Sequence, residues 1–168
     1  MKLDTTKYVL PGCFSMFRWH PFTGQRTRNV TYFYAVTPAV RRLRGESSVL
    51  YVGQTENEIA ARYKQETETN NTPGNTQATN IRTSYVMRQL RAHGDHIDMF
   101  FTESISFVLP KEHVVSYGRL LETWNKNNFV KQFKPRPDGT LSCEIEKFLI
   151  ANYADEHLEV PPLNNRAG

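Results

Sequence analysis

The segment Val30 to Val36 reads VTYFYAV and is followed by Thr37-Pro38; a short way on, Ser48 to Gly53 reads SVLYVG. Both runs are β-branched and aromatic, the composition that packs well on a pleated surface. The first is expected to stop at Pro38, which cannot donate to a ladder. Residues 38–47 (PAVRRLRGES) carry three arginines and read as the connecting loop, so the two runs are expected to pair as an antiparallel hairpin with a long connection.

Working toward the C-terminus, Thr55 and Glu58 stand in the T-x-x-E relation of a capping box, which places a helix start at Thr55. Ile59, Ala60 and Tyr63 supply its apolar face, and the helix is expected to end at about Glu66 or Thr67. Residues 67–79 (TETNNTPGNTQAT) offer nothing to a core and read as a loop. A second helix is expected over 80–93, closed by Gly94, with Thr83, Val86, Met87 and Leu90 on its buried face. Residues 97–103 (IDMFFTE) read as a third strand, which 106–109 continue or pair with. Residues 110–139 read as an insert holding one short helix candidate (VSYGRLLETW) and a Lys/Pro-rich turn (VKQFKPRPDG). A last helix is expected over 141–153, with Ile145, Phe148, Leu149 and Ile150 apolar. Residues 1–29 show no clear period and read as an extension packing on the domain that fills 30–168. The order is β-β-α-α-β-(insert)-α, an α+β fold with a three-stranded antiparallel sheet flanked by helices.

Composition narrows the function without deciding it. The chain has 168 residues, 39% hydrophobic and 23% charged, which suits one globular domain and excludes disorder. No apolar run approaches a membrane span, and the start (MKLDTTKYVLPG) has no signal-peptide core, so a cytoplasmic protein is expected. Cys13 and Cys143 have no metal or redox spacing and read as reduced thiols. The five histidines read as structural or surface residues. The net charge of +4 permits a nucleic-acid partner. Basic residues gather in stretches: Arg26 and Arg28; Arg41, Arg42 and Arg44; Arg82, Arg88 and Arg91; Lys126, Lys131, Lys134 and Arg136. Any one stretch is ordinary surface charge, but four on one small chain favour a phosphate backbone.

In this order of elements the motifs resemble the GIY-YIG nuclease family. Tyr51-Val52-Gly53 looks like its YIG element, and Tyr34, in Tyr32-Phe33-Tyr34-Ala35-Val36, aligns with the tyrosine of GIY. Arg62 falls on the helix after YVG, where the family has its arginine. Glu146 begins Glu-Lys-Phe-Leu-Ile, similar to the metal-binding helix, and Asn164 closes a Pro-Pro-Leu-Asn turn. The stretch Met87 to Ser104 resembles the second helix, its glycine stop and the third strand. The likeness covers about residues 30–109 and 140–165.

The resemblance implies a metal-dependent endonuclease on DNA, double-stranded by expectation, leaving 5′-phosphate and 3′-hydroxyl ends. Glu146 would hold one Mg²⁺, with Mn²⁺ able to substitute. Arg62 would present its charged fork to the phosphate, Tyr34 would take a proton from the attacking water, and Tyr51 would hydrogen-bond the water or the phosphate. A free phenol has a pKa of about 10, so the cation and arginine must favour the phenolate or a concerted transfer. Gly53 and Asn164 would support the site. Arg41, Arg42, Arg44, Lys64, Arg88 and Arg91 are candidates for DNA contacts.

With no separate DNA-binding domain expected, the chain looks most like a type II restriction-like enzyme; the rival readings are a phage or mobile-element (homing-type) nuclease and an inactive nucleic-acid-binding module on the same fold. A generic basic domain is a further rival. A homodimer on a palindromic site is a possible assembly, and no membrane partner is expected. Three departures stand out. Tyr32 replaces the glycine of GIY, the gap from Gly53 to Arg62 is longer than usual, and Glu66 occupies the place where the family commonly has His or Tyr. There Tyr63 could substitute, or Glu66 could be idle.

Overall fold

A computed structural model describes residues 7–68, 78–103 and 142–164. The segments at 104–141 and 69–77 lie outside it, and with them the expected insert at 110–139, its helix candidate, its basic cluster and the stretch 106–109. Strand β1 (His20–Pro21) is followed by β2 (Val30–Arg41), β3 (Glu46–Thr55), helix α1 (Ile59–Thr67), helix α2 (Ala78–Ala92), strand β4 (His96–Glu103) and helix α3 (Ser142–His157). The class is α+β, with one antiparallel sheet in the order β1-β4-β2-β3.

Among the described residues the sheet has four strands rather than the expected three. His20 and Pro21 pair with Phe101 and Phe100 at the edge of β4. Two residues carry no legible period, and a proline is tolerated there because the strand is an edge. The N-terminal segment is more than a cover. Tyr8, Phe14, Phe17 and Trp19 are buried in one core cluster with Phe33, Phe100 and the apolar face of α3.

The hairpin is also longer than the sequence suggests. Strand β2 runs through Pro38 to Arg41, and β3 begins at Glu46, so most of the expected loop is strand. Pro38 falls between the last β2–β4 pair, Thr37↔His96, and the resumption of β2–β3 pairing at Val40↔Ser47, where no ladder needs its N–H. A tight turn closes the hairpin: Arg42 N–H donates to the Gly45 carbonyl at 2.9 Å, with Gly45 at φ +73.

Helix α1 starts at Ile59, and the expected capping box does not form. Thr55 is still the end of β3, and its Oγ1 accepts from the Asn57 N–H at 3.1 Å. Local turn chemistry thus takes the hydroxyl that a cap would have used. Helix α3 continues four residues past the expected end, to His157. Gly94 at φ +98 closes α2 as its sequence predicts.

Strand alternation sorts the core into two layers. Phe33, Ala35, Val49 and Val52 face α3 and the N-terminal segment. Val30, Tyr32, Tyr34 and Val36 face the side on which Ile59 of α1 and Met87 of α2 are buried. Among the described residues no helix is long and apolar enough to cross a membrane.

Candidate active site

The site grows from the register of β2 on β3. Tyr32 lies opposite Gly53 and Tyr34 opposite Tyr51. The period of two puts all four on one face. The pairing then steps from Tyr34↔Tyr51 to Ala35↔Val49, leaving Leu50 as an extra residue, a bulge of the kind that re-aims side chains beside functional sites. Tyr51 and Leu50 accordingly both join the cluster under α1. The ring centroids of Tyr34 and Tyr51 are 6.3 Å apart, and those of Tyr32 and Tyr34 5.9 Å.

Gly53 earns its place sterically. A Cβ there would come within 2.6 Å of the Tyr32 ring and hydroxyl and 2.7 Å of the Tyr51 ring. The bare backbone is the floor on which Tyr32 lies.

Helix α1 closes the face. Arg62 and Glu66 are one turn apart, with Arg62 Nε 3.9 Å from Glu66 Oε1. Glu66 is only 2% exposed, and the Tyr32 hydroxyl donates a short hydrogen bond to its Oε1. Two of the departures from the family pattern, Tyr32 and Glu66, are therefore partners of each other. Glu66 Oε2 and the Tyr34 hydroxyl are both buried and complete no hydrogen bond of full geometry, although Tyr34 lies close enough to Glu66 to help hold its carboxyl pKa down. Tyr63, the alternative occupant of that place, packs on Phe22 at 4.7 Å and on Tyr34 at 6.5 Å.

Charge follows from this burial. Loss of water, opposed by the Tyr32 hydrogen bond and by Arg62, raises the Glu66 pKa to about 7, and Glu146 adds to the rise. Burial and then the Glu66 charge push both Tyr32 and Tyr34 well above the usual phenol range. Tyr51 is also raised, by burial, by Glu66 and by Glu146. Glu146, partly exposed on the second turn of α3, is thus electrically part of the same site although its helix packs on the other layer.

The predicted residues divide by accessibility. Tyr51, Arg62 and Glu146 retain exposure, whereas Tyr34 has none. The Tyr34 hydroxyl, expected to meet the water, is buried, whereas Tyr51 is half-buried. Asn164 supports from outside. Its Oδ1 accepts from Val52 N–H at 2.9 Å and its Nδ2 donates to Val52 O at 2.8 Å, so the side chain acts as a short strand along the free edge of β3.

The candidate DNA contacts also divide. Arg41, Lys64, Arg88 and Arg91 are exposed. Arg42 is taken up by Glu159 at 3.1 Å and the Val160 carbonyl at 2.8 Å. Arg44 donates to the Asp155 and Glu156 carbonyls at the end of α3. Arg44 thus ties the hairpin tip to the end of α3, and Arg42 ties it to the segment just beyond that helix.

Tyr32 and Glu66 are the site residues that the sequence reading leaves out. Each had a positional signal: Tyr32 is two residues from Tyr34 on a strand, and Glu66 is four from Arg62 on a helix, so each shares a face with a candidate. Among the described residues no group of three or more His, Cys, Asp or Glu side chains is arranged to hold a metal. Comparison of the chain with protein-family models, with curated proteins and with solved structures gives no match.

Proposed function

We propose that this chain is a divalent-metal-dependent DNA endonuclease of the GIY-YIG type, restriction-like in its use, that hydrolyses the phosphodiester bond to 5′-phosphate and 3′-hydroxyl ends. The observation that carries the reading is convergence. Tyr34, Tyr51, Arg62 and Glu146 come from four different elements, yet they bear on one cluster centred on Glu66. Side chains that merely pack or merely decorate a surface have no reason to meet in this way.

The donor set fits a hard cation that keeps most of its own waters and needs one carboxylate, which Glu146 supplies at an accessible position. Mg²⁺ would be held there, with Mn²⁺ able to replace it, and would offset charge on the phosphate and the departing oxygen. Arg62 keeps part of its side chain, 26%, open to solvent, enough for its guanidinium to reach a phosphate oxygen. Tyr51, the less buried of the two tyrosines, would meet the attacking water, with Tyr34 behind it. Arg88, Arg91, Arg41 and Lys64 are exposed and would contact the duplex backbone.

The test is incubation of the purified protein with mixed-sequence plasmid DNA, with and without Mg²⁺, beside Glu146→Ala. Wild type should cut only with the metal and leave ends that ligase rejoins. Glu146→Ala should bind DNA and cut roughly a thousandfold more slowly. Wild-type cleavage by Glu146→Ala, or intact plasmid with wild type in both Mg²⁺ and Mn²⁺, would refute the reading.

A further inference from the structure

The outer residues of the site rest on a buried polar layer that the reaction itself does not require them to have. Glu66 lies under Arg62, its Oε1 takes the Tyr32 hydroxyl, and its Oε2 and the Tyr34 hydroxyl, both buried, complete no hydrogen bond of full geometry. A carboxylate this deeply buried is costly unless it is held and used. The Tyr32 ring reaches it only because Gly53 has no side chain.

We propose that Glu66, held by the Tyr32 hydroxyl, is a positioning residue of this site: its carboxylate fixes the Arg62 guanidinium and orients the Tyr34 hydroxyl, and so sets the frame in which Arg62 and Tyr51 meet the scissile phosphate. The inference rests on the nuclease reading above. The geometry supports it in three ways. Arg62 and Glu66 are four residues apart on one helix, so the carboxylate restrains the guanidinium along the helix face. The hydrogen bond to Tyr32 ties that helix to the central strand. Glu66 Oε2 and Tyr34 Oη, which complete no bond of full geometry, are complementary as acceptor and donor. A carboxylate also holds Arg62 better than a neutral acid does. The groups that bear on Glu66 are Tyr32 and Tyr34 of β2, Arg62 of α1 and Glu146 of α3, and its pKa near 7 makes the ionised form accessible at neutral pH.

The experiment compares wild type, Glu66→Gln, Tyr32→Phe and the double variant. Plasmid cleavage in Mg²⁺ is followed at saturating and limiting DNA, and affinity for a labelled duplex is measured in EDTA. Misplacing a catalytic group by about 1 Å costs on the order of a hundredfold, so Glu66→Gln should lose about that much in kcat with KM and duplex affinity unchanged. Tyr32→Phe should lose less. The double variant should be no slower than Glu66→Gln, because both changes remove the same restraint. Wild-type activity should fall as pH drops below 7, and Glu66→Gln should lack that limb. Cleavage by Glu66→Gln at the wild-type rate overturns the proposal, as do additive effects of the two changes or a loss that appears in KM. Tyr32→Phe keeps the ring that packs on Gly53, so the cycle can be read from that side if Glu66→Gln folds poorly. Failure of the wild type to cut at all overturns the nuclease reading and this proposal with it, whereas a cutting wild type with an unaffected Glu66→Gln overturns this proposal alone.

Discussion

The sheet buries aromatic rings on both of its faces and uses them in different ways. On the α3 side, Phe33 sits among Phe14, Trp19 and Phe100 with ring centroids 5.1, 4.6 and 5.3 Å away. These rings have edges and faces to match but few polar atoms to satisfy; the Trp19 indole N–H donates to the Phe14 carbonyl at 2.8 Å. On the α1 side, Tyr32, Tyr34 and Tyr51 stand at similar spacings, but the Tyr32 hydroxyl is bonded to the buried Glu66 carboxylate. In one layer the ring cluster around Phe33 is held by area and shape, which do not depend on pH. The other layer gives up part of that strength to keep a carboxylate, three phenols and an arginine together, and two of its polar atoms complete no hydrogen bond of full geometry. The contrast is between two faces of the same two strands, one lined mainly by apolar rings and the other by a buried carboxylate with phenols around it.

The comparison can be broken most forcefully on the apolar side. Phe33→Ala should cost about 3–5 kcal/mol, because it empties the centre of a ring cluster that cannot collapse around the gap. Urea unfolding at pH 5 and pH 8 should give the same loss at both. A strongly pH-dependent loss would show that the two layers are not separate.

On the tyrosine side the sign depends on pH. The Glu66 pKa is raised by burial in the folded chain from its ordinary value of 4.5 to about 7. A raised carboxyl favours the folded state while protonated, so its contribution is fully present below about pH 4.5 and is lost as pH rises through 7. The difference corresponds to about 3 kcal/mol at one pKa unit per 1.36 kcal/mol. In metal-free buffer, wild-type stability should therefore fall from pH 4.5 to pH 8, and Glu66→Gln should flatten that fall. An unchanged slope would mean that Glu66 is not buried as a carboxylate.

Gly53→Ala probes the contact between the layers' shared strands. The new methyl would meet Tyr32 and Tyr51, and the expected cost is about 1–3 kcal/mol from overpacking. In a Tyr32→Ala background the cost should shrink, since the closest obstacle is gone. Equal costs in both backgrounds would contradict the steric role assigned to Gly53.

The smallest effects should come from the arginines. Replacing Arg88 and Arg91 on α2 should leave stability within about 0.5 kcal/mol, as for other exposed positions. Affinity for duplexes of any sequence should weaken, with a shallower salt dependence. Arg42→Ala, on the α3 side, should lower stability and spare duplex affinity. The reverse pattern would put the DNA on the wrong face.

How much of this was legible depended on how local the cause was. The central hairpin, both helices that follow it and the last helix were readable because strand and helix periods are written in neighbouring residues. The Gly94 stop and the buried face at Thr83, Val86, Met87 and Leu90 came from the same rule. The candidates Tyr34, Tyr51, Arg62 and Glu146 were readable as positions within motifs. What could not be read locally was which of them would be accessible. Tyr34 and Tyr51 are both strand tyrosines, yet a bulge at Leu50 and the docking of α1 leave Tyr51 less buried than Tyr34.

The sequence by itself determined the class of fold, the alternation that separates two faces, and the residue types available to each face. These follow from backbone geometry and from chemistry that a residue carries wherever it is placed. Tertiary structure alone decided that residues 20–21 become an edge strand, that Arg42 and Arg44 tie a turn to the end of α3 and the segment just beyond it, and that Thr55 ends a strand instead of capping a helix. It alone joined Tyr32 to Glu66 across 34 positions of sequence. The physical reason is the same in each case. A hydrogen bond or an ion pair acquires its meaning from its partner and from the water excluded around it, and both are supplied by segments that are distant in the chain and close only after it folds.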